Sequence, residues 1–423
     1  MRHQILGLLG LAGIALLGAC GSSSDPSTAP PPAAAAGTTS SGAGAPGSSG
    51  SAGATSTAGA TSAGASSAGT TSVAGAAGAQ SAAGAAGAAG STGSAGAGGG
   101  TAGAANFGGI VGLEDLSTVK PSPGCGTDIK AAYPNIAENK WQPVDNHNYK
   151  SGYTIDIPTP ANHPVAAVAG KTLARRYFIK LPTGYDNTKP YKLIYEGAGC
   201  TGYGTDVPDY TTVSKGKAIL VALEIYPGVW GGGATGGSPT GDPGVSCFDD
   251  KRGDLSIDKP LIEMLHPKLM SQLCVDEHRV FVSGHSSGGW LSEQYGNSYG
   301  TKIFRAIAPS SGALAQGAEQ QTTNNMPVSG IWWHQTNDGT NPFSGTQAAI
   351  VHALVVNKCT NTNFNDTTQL VAAPFPSVTI CQKFSSCPKE FPIILCREPG
   401  SDHRNAFDDP NQRAATWSVL DAY

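Results

Sequence analysis

The stretch that most constrains this chain is residues 279–290, Arg-Val-Phe-Val-Ser-Gly-His-Ser-Ser-Gly-Gly-Trp. Val280, Phe281 and Val282 form a short apolar run of the kind found in buried central strands. Gly284-His285-Ser286-Ser287-Gly288 follows and fits the Gly-x-Ser-x-Gly pattern, with residues able to start a helix behind it. A serine displayed on a sharp strand-to-helix turn needs strained backbone angles, and glycines two residues to either side relieve the crowding. Such a turn pushes the hydroxyl outward. It also leaves the N–H of Ser287 free at a helix N-terminus, where it can bind an oxyanion. Five-residue patterns of this sort also arise by chance in Ser/Gly-rich loops, so the flanking strand and helix are what single out Ser286 as a nucleophile.

Length alone would suggest two or three domains for 423 residues. The first quarter is not globular in composition, however. Residues 1–19 have a short basic start and an apolar core too short to span a bilayer comfortably, which reads as a signal peptide. Leu17-Gly18-Ala19-Cys20 resembles the lipobox of bacterial lipoproteins. That resemblance implies cleavage before Cys20, lipidation of Cys20 and attachment to a membrane at the cell envelope or surface. The alternative is an ordinary secretory signal. Through residue 106 the chain is almost entirely Ala, Gly, Ser, Thr and Pro, and cannot bury enough apolar surface to offset chain entropy. Residues 20–106 therefore read as a lipidated cysteine and a flexible tether, spanning about 50 Å as a random coil. Residues 107–423 are left for one large α/β domain.

Removing Cys20 from the nine cysteines leaves eight: Cys125, Cys200, Cys247, Cys274, Cys359, Cys381, Cys387 and Cys396. An even number in a secreted chain argues for up to four disulfides, with connectivity not deducible from sequence. No pair of Cys-x-x-Cys motifs suggests zinc. A net charge of −4 offers no basic patch for nucleic acid. No cofactor is called for, and the chain is expected to act as a monomer.

Residues 121–164, rich in Pro, Asn and Tyr, read as an irregular arm stapled to the core through Cys125. Strands are expected at 175–182, 191–195 and 218–225, with a glycine-rich loop at 197–202. The long loop 227–246, carrying Trp230, is of the sort that walls a substrate site. Ile257, Leu261, Leu265, Leu269 and Leu273 recur at four-residue spacing and predict a helix over 254–274, kinked or split at Pro267. After the Ser286 turn come a helix to about Tyr299, strands near 306–308 and 328–333, and a helix over 348–356. A strand at 392–396 and a closing helix at 414–422 complete the chain. Alternating strand and helix imply a mostly parallel sheet covered by helices on both faces.

A serine hydroxyl needs a base, and the base needs an orienting carboxylate. His403 lies in a loop just past the strand 392–396, free to swing over the strand ends. His334 falls at a strand end and His352 in a helix, where structural roles suit them better. Asp338 follows the strand 328–333 in the loop Gln335-Thr336-Asn337-Asp338-Gly339. It therefore lies between nucleophile and histidine in the chain order Ser, acid, His. Capping a turn with Gly339 is its competing role. Asp402 is adjacent to His403, and Asp408 and Asp409 come later than expected. A second oxyanion N–H is needed from the loop after residues 191–195. Ala198 is the choice there, with Cys200 or Thr201 as alternatives. Trp230 and Trp290 are candidates to stack on an aromatic acyl group or a sugar.

From Arg175 to His403 the chain resembles the secreted esterases that group feruloyl esterases, acetylxylan esterases and polyhydroxybutyrate depolymerase-like proteins. The matching pieces are Pro123-Gly124-Cys125-Gly126, Tyr177-Phe178-Ile179-Lys180-Leu181-Pro182, Cys274 through Phe281, Gly284-His285-Ser286-Ser287-Gly288-Gly289, and the Cys396 strand leading to His403. The resemblance implies an α/β-hydrolase fold, a triad of Ser286, Asp338 and His403, and no metal. The chain has Glu196-Gly197 where the family commonly has His-Gly, and Gln335 where its Gly-x-x-Asp has glycine. Release of feruloyl or acetyl groups from plant cell-wall polysaccharide is the expected activity. Polyhydroxyalkanoate depolymerisation and a non-catalytic binding role on a hydrolase scaffold are the alternatives.

Overall fold

The computed structural model describes residues 115–147, 151–162, 169–226, 247–248, 258–312, 326–375 and 378–423. The chain divides into two units, Met1–Ser94 and Ala95–Tyr423, and every described residue lies in the second. The expected signal peptide, Cys20, the tether and its boundary at residues 106–107 lie outside the described residues. So does the Trp230 loop.

In chain order the elements are α1 (Ile129–Ala132), β1 (Trp141–Gln142), β2 (Tyr153–Pro158), β3 (Thr172–Lys180), β4 (Tyr191–Gly197), α2 (Thr211–Ser214) and β5 (Ala218–Leu223). There follow α3 (Lys259–Gln272), β6 (Val275–His285), α4 (Ser287–Tyr299), β7 (Ala306–Ser310), β8 (Ser329–Gln335) and α5 (Phe343–Val356). The last are β9 (Leu370–Ala372), β10 (Cys381–Phe384), β11 (Ile393–Glu398) and α6 (Pro410–Asp421). The strands form one sheet in the order β1-β3-β5-β4-β6-β7-β8-β11-β10-β9, with β2 also on β3. From β5 to β11 every neighbouring pair is parallel. This succession of crossovers, with antiparallel β3 before it, is the α/β-hydrolase arrangement.

Central strands need no alternation because both faces are covered: β5, β7 and β8 are buried at every residue. One face carries Leu193, Tyr195, Val282, Ile307 and Trp332 against Leu265 and Leu269 of α3, Leu291 and Tyr295 of α4, and Ile350 and Leu354 of α5. The other face packs on α6: Ile194 and Phe281 meet Trp417 and Leu420, while Ala308 and Trp333 meet Ala415 and Val419. Burying one such leucine contributes about 1.5–3 kcal/mol, so α3 is fastened on both sides of Pro267. That explains why α3 is not split at Pro267, where a kink or a split is expected. Pro267 removes the hydrogen bond to the Glu263 carbonyl, but α3 runs from Lys259 to Gln272 through it.

One further expectation is corrected. The supposed irregular arm contains strands: β2 pairs antiparallel with β3, Ile155 opposite Arg175, and buries Ile155 and Ile157 on alternate residues. Beyond β11 an antiparallel edge of β10 and β9 extends the sheet. The cysteines pair as Cys125–Cys274, Cys200–Cys247, Cys359–Cys387 and Cys381–Cys396. The first fixes the segment before β1 to the end of α3, as expected. The last joins directly opposed residues of β10 and β11.

Candidate active site

Ser286 stands between β6 and α4 with φ 55° and ψ −117°, a conformation side chains rarely adopt. Its surroundings hold it there. Its N–H donates to the Ser310 carbonyl at 2.9 Å, and its own carbonyl accepts the Trp290 N–H at 3.1 Å. The flanking glycines are required by space. A Cβ on Gly288 would lie 1.9 Å from the Gly197 carbonyl oxygen, and one on Gly284 would lie 2.5 Å from the Gly288 carbonyl carbon. The ends of β4 and β6 and the start of α4 thus meet backbone to backbone, directly beneath the serine.

The other two side chains arrive from loops at the C-terminal ends of parallel strands. Asp338 follows β8 and His403 follows β11, which pair in register from Ile393 opposite Gly330 to Glu398 opposite Gln335. His403 Nε2 is 2.8 Å from Ser286 Oγ, and its Nδ1 is 2.8 Å from Asp338 Oδ2. The second oxygen, Oδ1, accepts the N–H groups of Thr340 at 2.8 Å and Asn341 at 2.9 Å. Burial by itself would raise the Asp338 carboxyl. The bonds from His403, Asn341 and Thr340 outweigh it and hold the group below the usual carboxylate range. Asp338 is therefore ionised at neutral pH and able to stabilise a charged His403. The His403 side chain keeps 20% of its surface exposed, enough for water to approach. No hydrogen bond joins His403 to Asp402, Asp408 or Asp409 among the described residues. Asp408 is bonded to Asn405, and Asp409 caps α6.

Ser287 begins α4, where the first N–H groups of a helix have no intrahelical partner. Its hydroxyl donates to the Ala198 carbonyl at 3.1 Å, so the two residues chosen for the oxyanion are adjacent. The loop continues over Ser286: a Cβ on Gly199 would lie 3.5 Å from Ser286 Cβ. The Cys200–Cys247 disulfide pins this loop from behind and packs on Trp290. Trp290 is thus beside the site but buried. Its indole Nε1 has no hydrogen-bond partner among the described residues.

Several neighbours have no role assigned from the sequence. His285 has its ring centroid 4.9 Å from that of His403. Burial, helped by the nearness of His403, pushes it down to about 4, so it is neutral. Ser311, in the turn after β7, donates its hydroxyl to the Arg404 carbonyl at 2.6 Å, and its own carbonyl accepts the Asn341 side-chain amide at 2.7 Å. Glu196, one residue before the glycine-rich loop 197–202, is fully buried, and neither carboxyl oxygen has a partner among the described residues. Burial, reinforced by the charge of Asp209, raises it well above the ordinary glutamate range. Only the Glu196 departure had a sequence signal, the missing family histidine. The others depend on which loops meet.

No protein-family model matches the chain. Over 180 residues it is 27% identical to the probable feruloyl esterase C of Aspergillus terreus, covering 40% of this chain and 57% of that protein. It is 26% identical to feruloyl esterase C of Emericella nidulans over 180 residues, with the same coverage. The chain therefore matches less than two thirds of the length of these curated relatives. Among solved structures, the acetyl xylan esterase from Aspergillus awamori superposes with a TM-score of 0.41 at 13% identity, covering 62% of this chain and all of that one. The ferulic acid esterase from Anaeromyces mucronatus gives 0.35 at 17% identity, covering 66% and 92%. At such scores the sheet order, not the superposition, carries the fold. The chain has the α/β-hydrolase fold and is similar in sequence to feruloyl esterases.

Proposed function

We propose that this chain is a serine carboxylic ester hydrolase that removes feruloyl or acetyl groups from plant cell-wall polysaccharide. The observation that carries it is the relay from Ser286 Oγ through His403 to Asp338, with both contacts at 2.8 Å. In the first step Ser286 Oγ bonds to the ester carbonyl carbon while His403 Nε2 takes the hydroxyl proton. Asp338 stabilises the imidazolium that results. The negative oxygen of the tetrahedral intermediate receives the N–H groups of Ser287 and Ala198. When that intermediate collapses, the bond to the alcohol oxygen breaks and His403 returns the proton to it. Water, deprotonated by the same nitrogen, then attacks the acyl-enzyme and frees the acid, restoring Ser286.

The feruloyl or acetyl preference rests on the names of the relatives and on the sequence resemblance. Turnover of methyl ferulate, an acetylated xylan and hydroxybutyrate oligomers tests it. Hydrolysis of the first or second, and not of the third, is the expected result. Turnover of the oligomers alone would assign a polyester depolymerase instead, and no turnover of any ester by folded protein would leave a binding protein. Trp290, and Trp230 in the loop outside the described residues, are the proposed contacts for an aromatic acid or sugar.

The proposed location is outside the cytoplasm, tethered through a lipidated Cys20 and the chain up to residue 106. Four disulfides support an oxidising compartment. Cys20→Ser should move the protein from the membrane fraction to the soluble fraction, and unchanged partitioning would refute the anchor.

A further inference from the structure

His334 ends up closer to the proposed acid than a buried structural histidine needs to be. It lies at the end of β8, four residues before Asp338, and is 1% exposed. Its partners assign its protons. The Asn341 carbonyl can only accept, so His334 Nε2, 2.8 Å away, carries the hydrogen. Nδ1 is then the acceptor for the Thr346 hydroxyl of α5, at 2.6 Å. The same Nε2 is 3.5 Å from Asp338 Oδ2, the oxygen that meets His403. Asn341 closes the arrangement. It accepts from His334, its N–H clasps Asp338 Oδ1, and its amide reaches Ser311, whose hydroxyl holds the His403 loop at Arg404.

The titratable groups facing His334 are Asp338 on its own loop, His403 from the loop after β11, and His285 from the end of β6. From α5 come only the Thr346 hydroxyl and the Phe343 ring, the latter 5.7 Å away between centroids. Burial holds the imidazole neutral at working pH, which keeps Nδ1 available to Thr346. One face of the ring is therefore locked by α5, and the other presents a fixed N–H to the acid loop.

We propose that His334 is a positioning residue for Asp338. Through Asn341 it fixes the turn whose N–H groups clasp the carboxylate, and it sets an N–H dipole beside the oxygen that receives His403. This rests on the triad reading above. Without the imidazole, Asp338 would remain charged but turn more freely, and the His403 imidazolium would lose part of its stabilisation. Catalysis would suffer more than binding.

Three variants test it: His334→Leu, His334→Gln and Thr346→Val, assayed beside wild type and Ser286→Ala. His334→Leu should lower kcat by about 10- to 100-fold with KM nearly unchanged, and move the acid limb of the kcat/KM profile to lower pH. His334→Gln keeps an N–H within reach of the Asn341 carbonyl and should recover most of the loss. Thr346→Val leaves the ring and its bond to Asn341 but removes the hydroxyl that anchors Nδ1, so the ring can turn, and it should lower kcat by about 3- to 10-fold with the same shift in profile. Folded His334→Leu with wild-type kcat and pH profile would overturn the proposal. If that variant does not fold, Thr346→Val decides, and wild-type behaviour there overturns it equally. Ser286→Ala separates the two readings. Full turnover by Ser286→Ala refutes the triad itself, whereas an inert Ser286→Ala beside unaffected His334 and Thr346 variants refutes only the role of His334.

Discussion

Ser286, the proposed nucleophile, and its two proposed partners are held by different physics. Ser286 is fixed by backbone steric contact: three glycines from β4, β6 and α4 approach so closely that no side-chain carbon fits between them. Asp338 and His403 lie on loops and are fixed by hydrogen bonds, through Thr340, Asn341, Ser311 and His334. Close packing has no intermediate setting, because an added atom either fits or forces strands apart. A hydrogen-bonded loop can lose one partner and keep the rest. The serine side should thus fail all at once, and the acid–base side by degrees.

The largest expected effect sharpens the second half of that contrast. Asp338→Asn keeps the shape but removes the charge, and presents His403 with the wrong hydrogen-bonding partner. It should lower kcat by about 10⁴-fold with little change in melting temperature. An activity loss below tenfold would move the acid to another carboxylate. Gly288→Ala probes the first half. Its methyl would meet the Gly197 carbonyl at 1.9 Å, so unfolding free energy should fall by about 3 kcal/mol or more, the upper end of overpacking costs. Chemical denaturation measures this. A stable, active Gly288→Ala protein would show that the β4–α4 contact yields and would break the comparison.

The smallest effect concerns Glu196, next to the start of the glycine-rich loop 197–202. Its folded-state pKa is raised by burial, so its stability contribution is full below the ordinary glutamate range and is lost as pH rises toward the folded value. Glu196→Gln mimics the protonated acid and removes that dependence. The buried neutral histidines act in the opposite sense. His285 and His266, both near 4, contribute stability above about 6.5 that is lost as pH falls through the folded value. Both proteins share those histidines, so the difference in melting temperature, variant minus wild type, should grow as pH rises above about 4.5. A difference that does not vary with pH would mean that Glu196 carries no displaced titration.

The same contrast explains what the amino-acid sequence makes legible. The Ser286 turn is local: apolar run, glycines, serine and helix lie within a dozen residues, and the backbone packing they imply is what the structure contains. Asp338 and His403 can be found by rule, as loop residues after strands in the right chain order, although 65 residues separate them. Asn341, Ser311 and His334 cannot, because their roles arise only where three loops converge. His334 in particular reads as a strand-end residue until Asn341 and Thr346 are seen on either side of it. In the fold, the long parallel strands declare themselves by apolar runs. β1, β9 and β10, of two, three and four residues, are too short for any periodicity to register. Pro267 misleads in the other direction, since tertiary burial of Leu265 and Leu269 overrides a local helix breaker.

The central claim is that His403 activates Ser286 as a nucleophile, and covalent labelling addresses it most directly. Folded protein treated with a fluorophosphonate ester should take up one equivalent, located on Ser286 by peptide mass spectrometry, and His403→Ala should label far more slowly. Folded, ester-hydrolysing protein that stays unlabelled at Ser286, or carries the phosphonate on another residue, would contradict it.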